Sequence, residues 1–239
     1  MLKKIIVLCA LAVFFVGCGG TDSNNGGDTT TQTSLKVKNS STSAVDVWLT
    51  LGQVDGFVTD VNGIFGITTS GLQGKFTLQV GSELTYTPTK GISGNLSFGT
   101  PPINCPTSTF TNGVNIFEFC LNNKAQAGTP QETIDISAVA GVNSNLKCTL
   151  SGGGAWNAGS AHTGITTFEN AALNSNTGLI GVFPSGADNC TSSDAPPVCV
   201  APDLPHQPYE TPQSEPICNI QRDATSAGGT VQIEFIGAL

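Results

Sequence analysis

Six cysteines and two histidines are the residues whose types and spacing could do chemistry most directly. Cys105, Cys120, Cys148, Cys190, Cys199 and Cys218 contain no Cys-x-x-Cys pair. In an exported chain an even set of this kind reads as three disulfides, with fifteen pairings open to it. Metal coordination by Cys or His needs closely spaced ligands, and His162 and His206 stand alone, so no metal is expected. A Ser-His-Asp arrangement could draw only on those two histidines, and no Gly-x-Ser-x-Gly elbow accompanies them. Gly-x-Gly-x-x-Gly and Walker-type loops do not occur either, so no cofactor is indicated.

The elements that would carry such chemistry begin with an export signal. Lys3 and Lys4 precede an apolar run over residues 5–16, followed by Gly17-Cys18. The run is too short to span a bilayer, which takes about 20 apolar residues. Val16-Gly17-Cys18 is similar to the lipobox of bacterial lipoproteins, in which cleavage before the Cys leaves Cys18 as the lipid-carrying first residue. Phe15 departs from the smaller aliphatic residue usual at its position, and Gly19 after the Cys implies the outer membrane by the same resemblance. Residues 19–34 are all Gly, Thr, Asn, Ser, Asp and Gln, and read as a flexible tether. The expected plan is a signal peptide over 1–17, a lipidated Cys18 with its tether over 18–34, and one folded domain over 35–239. Lipid alone would hold that domain at the bacterial cell envelope.

Removal of residues 1–17 leaves 222 residues with 7 Lys+Arg against 17 Asp+Glu. No basic run occurs, and phosphate backbones need clustered cations, so nucleic acid is not an expected partner. An apolar fraction of 38% supports a real core despite the acidic balance. Residues 35–38 and 45–49 alternate apolar and polar side chains around the turn-prone 39–43, which predicts a hairpin-like pair of strands. Between 52 and 98, short runs such as 76–80 and 84–87 recur between glycines roughly every ten residues, the spacing of a sandwich or barrel. Residues 230–236 alternate cleanly and predict a strand returning to the sheet, tying both ends into one domain. A short helix is expected at 166–173, and the Pro-, Asp- and Ser-rich 188–216 reads as a disulfide-stapled loop region. Asn39-Ser-Ser, Asn95-Leu-Ser and Asn189-Cys-Thr fit the glycosylation pattern, but behind a bacterial signal they read as turn chemistry.

Three stretches carry a family resemblance: Ser93-Gly94-Asn95-Leu96-Ser97-Phe98-Gly99-Thr100 leading to Cys105, Phe117-Glu118-Phe119-Cys120-Leu121, and the run from Asp135-Ile136-Ser137 to Asn143. In this order they resemble the core of the thaumatin-like (osmotin-like) proteins, which read S-G-R-x-W-G-R-T-x-C, A-E-F-x-L and D-I-S-x-V-D-G-F-N. Gly74-Lys75-Phe76-Thr77-Leu78 resembles that family's G-x-x-W-x-L, and residues 35–39 with Val47-Trp48 resemble its opening strand. The match is good over 35–150, thin over 150–225, and returns in the last strand. It implies an all-β, thaumatin-like β-sandwich with disulfide-stapled loop regions. The family joins a Cys after its opening strand to a Cys ending its last strand. Here Ser41 and Ile236 stand at those places, so both partners are absent together.

Antifungal members of the family are associated with an acidic cleft in which an Arg, a Glu and three Asp face a polysaccharide. The resemblance puts Glu118 on the Glu and Asp135 on the first Asp. The second Asp is Ala140, and the Arg is missing, because no basic residue lies between Lys90 and Lys124. Glycoside hydrolysis needs two carboxyl groups, one protonated as acid and one ionised as its partner, and Glu118 with Asp135 is the nominated pair. The lost charges favour binding over hydrolysis. Sugar binding normally uses aromatic faces. The resemblance places Trp48 in the core, which leaves Trp156 and Tyr209, in loop-like stretches, as ligand-binding candidates beside Glu118 and Asp135. The expected function is a membrane-anchored binding or interaction module with β-glucan or another envelope polysaccharide as its candidate partner. The alternatives are a weak endo-β-1,3-glucan hydrolase using Glu118 as acid with Asp135, and a structural envelope lipoprotein without ligand.

Overall fold

The computed structural model describes residues 32–102, 113–124, 131–138, 142–170, 180–183 and 218–239. Among them, fourteen strands follow one another in chain order. These are β1 Ser34–Asn39, β2 Val45–Leu51, β3 Gln73–Leu78, β4 Glu83–Tyr86, β5 Ile92–Phe98, β6 Ile116–Leu121 and β7 Gln131–Ser137, then β8 Ser144–Ser151, β9 Trp156–Ala158, β10 His162–Ile165, β11 Thr167–Glu169, β12 Val182–Phe183, β13 Ile220–Asp223 and β14 Thr230–Ala238. They form two sheets. The smaller has the order β11-β8-β14-β1-β4; the larger has the order β10-β9-β13-β7-β6-β5-β2-β3, with β12 parallel to β7. The molecule is therefore an all-β, two-sheet sandwich.

Alternation decides which side chains fill it. Leu35 and Val37 of β1 and Val231, Ile233 and Phe235 of β14 point inward from the smaller sheet. Val47 and Leu49 of β2, Leu96 and Phe98 of β5, Phe117 of β6, and Ile134 and Ile136 of β7 belong to the same core from the larger one. The Phe98 and Phe235 rings stack across the gap with centroids 5.5 Å apart. Close approach shapes β5 as well. A Cβ on Gly94 would meet the Thr50 carbonyl oxygen of β2 at 2.2 Å, so only glycine fits this central position.

Strand pairing departs from the sequence reading at three points. β1 and β2 are not a hairpin, because β1 pairs in parallel with β14 and antiparallel with β4, whereas β2 lies in the other sheet between β3 and β5. The intervening residues carry the chain from one layer to the other, clipped by Asn39, whose Nδ2 donates to the Ser43 and Leu78 carbonyls and whose Oδ1 accepts from Ser41 N. Thr167–Glu169, expected as part of a helix, is an edge strand that buries only Phe168 against β8. Asn95, read as turn chemistry, sits mid-strand in β5. The returning C-terminal strand forms as expected: β14 pairs with β1, and Ser40 N donates to the Phe235 carbonyl beside Ser41 and Ile236. Two of the family-like stretches are stitched together here. The Asn143 and Asn115 side chains exchange hydrogen bonds with each other's backbone, and Asn143 Nδ2 donates to the Phe98 carbonyl.

A buried ion pair joins the two ends of the chain to the larger sheet. Arg222 Nε on β13 donates to Glu132 Oε2 on β7 at 2.6 Å, with both side chains at most 1% exposed. Its Nη1 donates to the Gly152 and Gly154 carbonyls, and its Nη2 to Thr33 Oγ1 and the Gly228 carbonyl. All five guanidinium N–H groups are thereby used. Glu132 accepts a second bond from Asn122 N, and Asn122 in turn pairs with the Thr33 backbone through both side-chain atoms. A Cβ on Gly153 would lie 2.4 Å from Arg222 Nη1, so this glycine admits the guanidinium, while a Cβ on Gly152 would meet Gly229 and one on Gly154 would meet Ser226. The folded part thus starts no later than Thr33, which is fully buried, and residues 33 and 34 belong to the domain and not to the tether. The signal segment, Cys18 and residues 19–31 lie outside the described residues.

Cys148 corrects the expectation of three disulfides. It is a buried free thiol on β8, in the inward phase with Leu146 and Leu150, and burial pushes it well above the usual thiol range. Cys120 and Cys218 are each disulfide-bonded; Cys105, Cys190 and Cys199, like the expected loop at 188–216, lie outside the described residues. Of the eight cysteines, five are then left to pair once Cys9 of the signal segment and Cys18 are set aside. Thiol titration of the domain in denaturant is expected to release at least one thiol per chain, and a second unless the odd cysteine bonds another molecule. Three disulfides would release none.

Candidate functional site

The two outward faces of the sandwich differ in kind. On the smaller sheet, register places Glu83, Lys38, Glu234, Lys147 and Glu169 in one line across β4, β1, β14, β8 and β11, alternating in charge. Lys38 Nζ and Glu234 Oε1 are 3.0 Å apart within it. This is a solvated, charge-paired surface of the ordinary kind, where each pair adds at most about 1 kcal/mol.

The larger sheet carries a line of a different composition. Gln73, Thr50, Asn95, Glu118 and Asp135 stand opposite one another across β3, β2, β5, β6 and β7. Gln73 Nε2 donates to Thr50 Oγ1 at 2.9 Å at the exposed end. Toward β5 and β7 the face becomes buried, with Ser93, Asn95, Ser97, Asp135 and Ser137 all shielded although they point away from the core. Asn95 Oδ1, Ser97 Oγ and Asp135 Oδ1 are buried with no hydrogen-bond partner among the described residues. The neighbouring line sets Lys75 and Ser97 on either side of Trp48, with the Lys75 ammonium 5.4 Å from the Trp48 ring centroid.

Glu118 and Asp135 form the chemical centre of this face. They are direct cross-strand partners, and their side chains stand close enough that the ionisation of each depends on the other. Desolvation, the dominant cause, raises Glu118 to about 7, with the hydrogen bond to Asp135 acting in the opposite sense. Asp135 is raised well above the usual carboxylate range, by desolvation first and then by the charge and hydrogen bond of Glu118. Burial therefore favours the protonated form of both carboxyls.

The nominated residues separate accordingly. Glu118 and Asp135 come together, while Trp156 does not join them. It is 3% exposed, belongs to the core, and lies under the Arg222 guanidinium at 4.2 Å from Cζ to the ring centroid, so it offers no face to a ligand. Tyr209, Ala140 and His206 lie outside the described residues, and His162 sits on the edge strand β10. Trp48, expected in the core, is half-buried on the outward face with Glu118 and Asp135. Its phase was available in the sequence, since Val45, Val47, Leu49 and Leu51 occupy the inward positions of β2. Asn95 and Ser97 were missed because nothing local distinguishes them from the polar face of an exposed strand.

No family model matches the chain, and no curated protein matches it. Among solved structures, the chain is similar to the protein elicitor MoHrip2 from Magnaporthe oryzae, at 12% identity over 86% of this chain and 99% of that one, with a TM-score of 0.37. It is similar to the thaumatin-like xylanase inhibitor TLXI at 12% identity over 85% and 99%, with a TM-score of 0.36. At those values neither likeness bears on activity.

Proposed function

We propose that this chain is an extracytoplasmic binding module of thaumatin-like type, anchored to the bacterial envelope through lipid on Cys18, that takes a polyhydroxylated, glycan-type ligand on the outer face of its larger sheet. The observation that carries this reading is the half-buried Trp48 ring on the outward face, beside a line of polar side chains that opens to solvent at Thr50 and Gln73. Sugars present what such a face needs, hydroxyls for its polar side chains and an apolar ring face for an aromatic. The loss of the Arg and of the second Asp that the family resemblance implies favours binding over hydrolysis.

The test is a pull-down of the exported chain on insoluble β-glucan, chitin and peptidoglycan, with released reducing sugar assayed in the same tubes. Retention on at least one glycan without sugar release is expected. Trp48→Ala should weaken retention by about tenfold, the cost of truncating an aromatic anchor, while Gln232→Ala on the other sheet leaves it unchanged. Sugar release abolished by Glu118→Gln would replace this reading with the hydrolase, and silence on all three glycans would leave the structural lipoprotein.

A further inference from the structure

The outer face of the larger sheet gathers oxygen ligands that no cation answers. Asn95 stands opposite Glu118 and Glu118 opposite Asp135, so three side chains rise from one line on adjacent strands, each neighbouring pair rooted about 5 Å apart. Ser97 lies two residues along β5 on the same face. Asn95 and Ser97 are 1% and 0% exposed, and Asn95 Oδ1, Ser97 Oγ and Asp135 Oδ1 have no partner among the described residues. Buried polar atoms in that condition are uncommon in native proteins and call for a bound group or water. The cation–carboxylate pairs of the described residues all lie elsewhere, at Lys36–Glu83, Lys38–Glu234, Lys75–Asp46 and Arg222–Glu132.

We propose that Asn95, Glu118 and Asp135 hold a hard divalent cation of the calcium type, with Ser97 as a further oxygen. The donor set decides the class of ion. Two carboxylates, an amide oxygen and a hydroxyl are hard ligands, suited to calcium and magnesium and not to zinc or copper. The described residues contain no cluster of three or more His, Cys, Asp or Glu, so the amide and hydroxyl oxygens are needed to complete the set. Calcium tolerates this irregular arrangement because it accepts about six to eight oxygens in flexible geometry, water included, whereas magnesium demands a near-ideal octahedron. Placement on three paired strands pre-organises the ligands. The inference is independent of the glycan reading, since the ion would bind with or without a sugar.

The test is calorimetric titration of CaCl2 into the full exported chain, stripped with EDTA and free of glycan, with thermal unfolding followed alongside. One ion per chain is expected, at or below about millimolar concentration, with a rise in the unfolding midpoint. Glu118→Gln and Asp135→Asn should each weaken binding by about tenfold or more, while Glu169→Gln, on the edge strand β11 of the other sheet, leaves it unchanged. Asn95→Asp adds a charge to the row and should tighten binding, which keeps the proposal testable if a neutralised variant fails to fold. The proposal is overturned if the wild-type chain shows neither heat nor a midpoint shift at about 10 mM CaCl2, well above the weakest affinities of such sites. It is equally overturned if both neutralised variants bind in full, or if Asn95→Asp binds no more tightly than wild type.

Discussion

Replacing Arg222 with Met is expected to lower the unfolding free energy by about 3–5 kcal/mol, the range for removing one partner of a buried ion pair. Glu132, fully shielded, would keep its charge with no counter-ion. The loss extends beyond that pair, because the Gly152, Gly154 and Gly228 carbonyls and Thr33 Oγ1 all take hydrogen bonds from the same guanidinium. Each buried acceptor left unpaired adds its own desolvation cost, about 1–3 kcal/mol in isolation. Arg222→Lys should recover little of it, since an ammonium has three donors and no planar fork to reach partners on four separate segments. Glu132→Gln should also be costly, leaving Arg222 buried without its counter-charge. The double variant Arg222→Met with Glu132→Leu should cost less than the two single changes summed, the signature of coupling within one network. Urea unfolding of the wild type, Arg222→Met, Glu132→Leu and the double variant measures the coupling, with Arg222→Lys and Glu132→Gln unfolded alongside. A loss below about 1 kcal/mol for Arg222→Met would show that water reaches the hub and that the pair is only a surface bridge.

That hub marks where sequence reasoning stopped. Gly152, Gly153 and Gly154 before Trp156 look like a mobile turn with an aromatic at its edge, which made Trp156 a ligand candidate. The reason for Gly153 lies at Arg222, far along the chain, and for the arginine at Glu132 and Thr33, and no local pattern joins those four places. The strands themselves were legible because alternation is local: the inward phase of 230–236 survives intact in β14. Sheet membership is not local, so alternation at 35–38 and 45–49 predicted two strands correctly and then paired them wrongly. Phase could have settled more than was asked of it. Cys148 stands in step with Leu146 and Leu150, which marks a core position, and Trp48 stands out of step with Val47 and Leu49, which marks the opposite face. The carboxyls could be nominated by resemblance, but their contact depends on β6 and β7 pairing with Glu118 opposite Asp135, and register is fixed by the whole sheet.

The same contact should invert the usual dependence of stability on pH. In calcium-free buffer the protein is expected to lose stability as pH rises from about 5 to 8, where most carboxylate-stabilised proteins gain or hold it. The sign follows from where protons bind. Glu118 moves from 4.5 to about 7 on folding, and Asp135 is raised further from its ordinary value, so the native state binds more protons than the unfolded chain throughout this window. Stability therefore falls as the unfolded carboxyls ionise above about 4.5 while the folded pair resists, and the Glu118 contribution levels off above about 7. A shift of that size corresponds to roughly 3 kcal/mol or slightly more for Glu118. Asp46 and Glu234 act in the opposite sense: their lowered values add stability that is lost only as pH falls through the acid range, and both are part of surface pairs worth little. Asp135→Asn removes the strained ionisation while its amide can still donate to Glu118. At pH 8 the variant should match or exceed the wild type, and at pH 5 it should fall below it. Denaturant midpoints for both proteins at pH 5, 6.5 and 8 decide the matter. Parallel pH profiles would mean that water reaches both carboxyls and that they titrate as separate surface groups, while opposite slopes would establish that burial holds them protonated at the centre of this face.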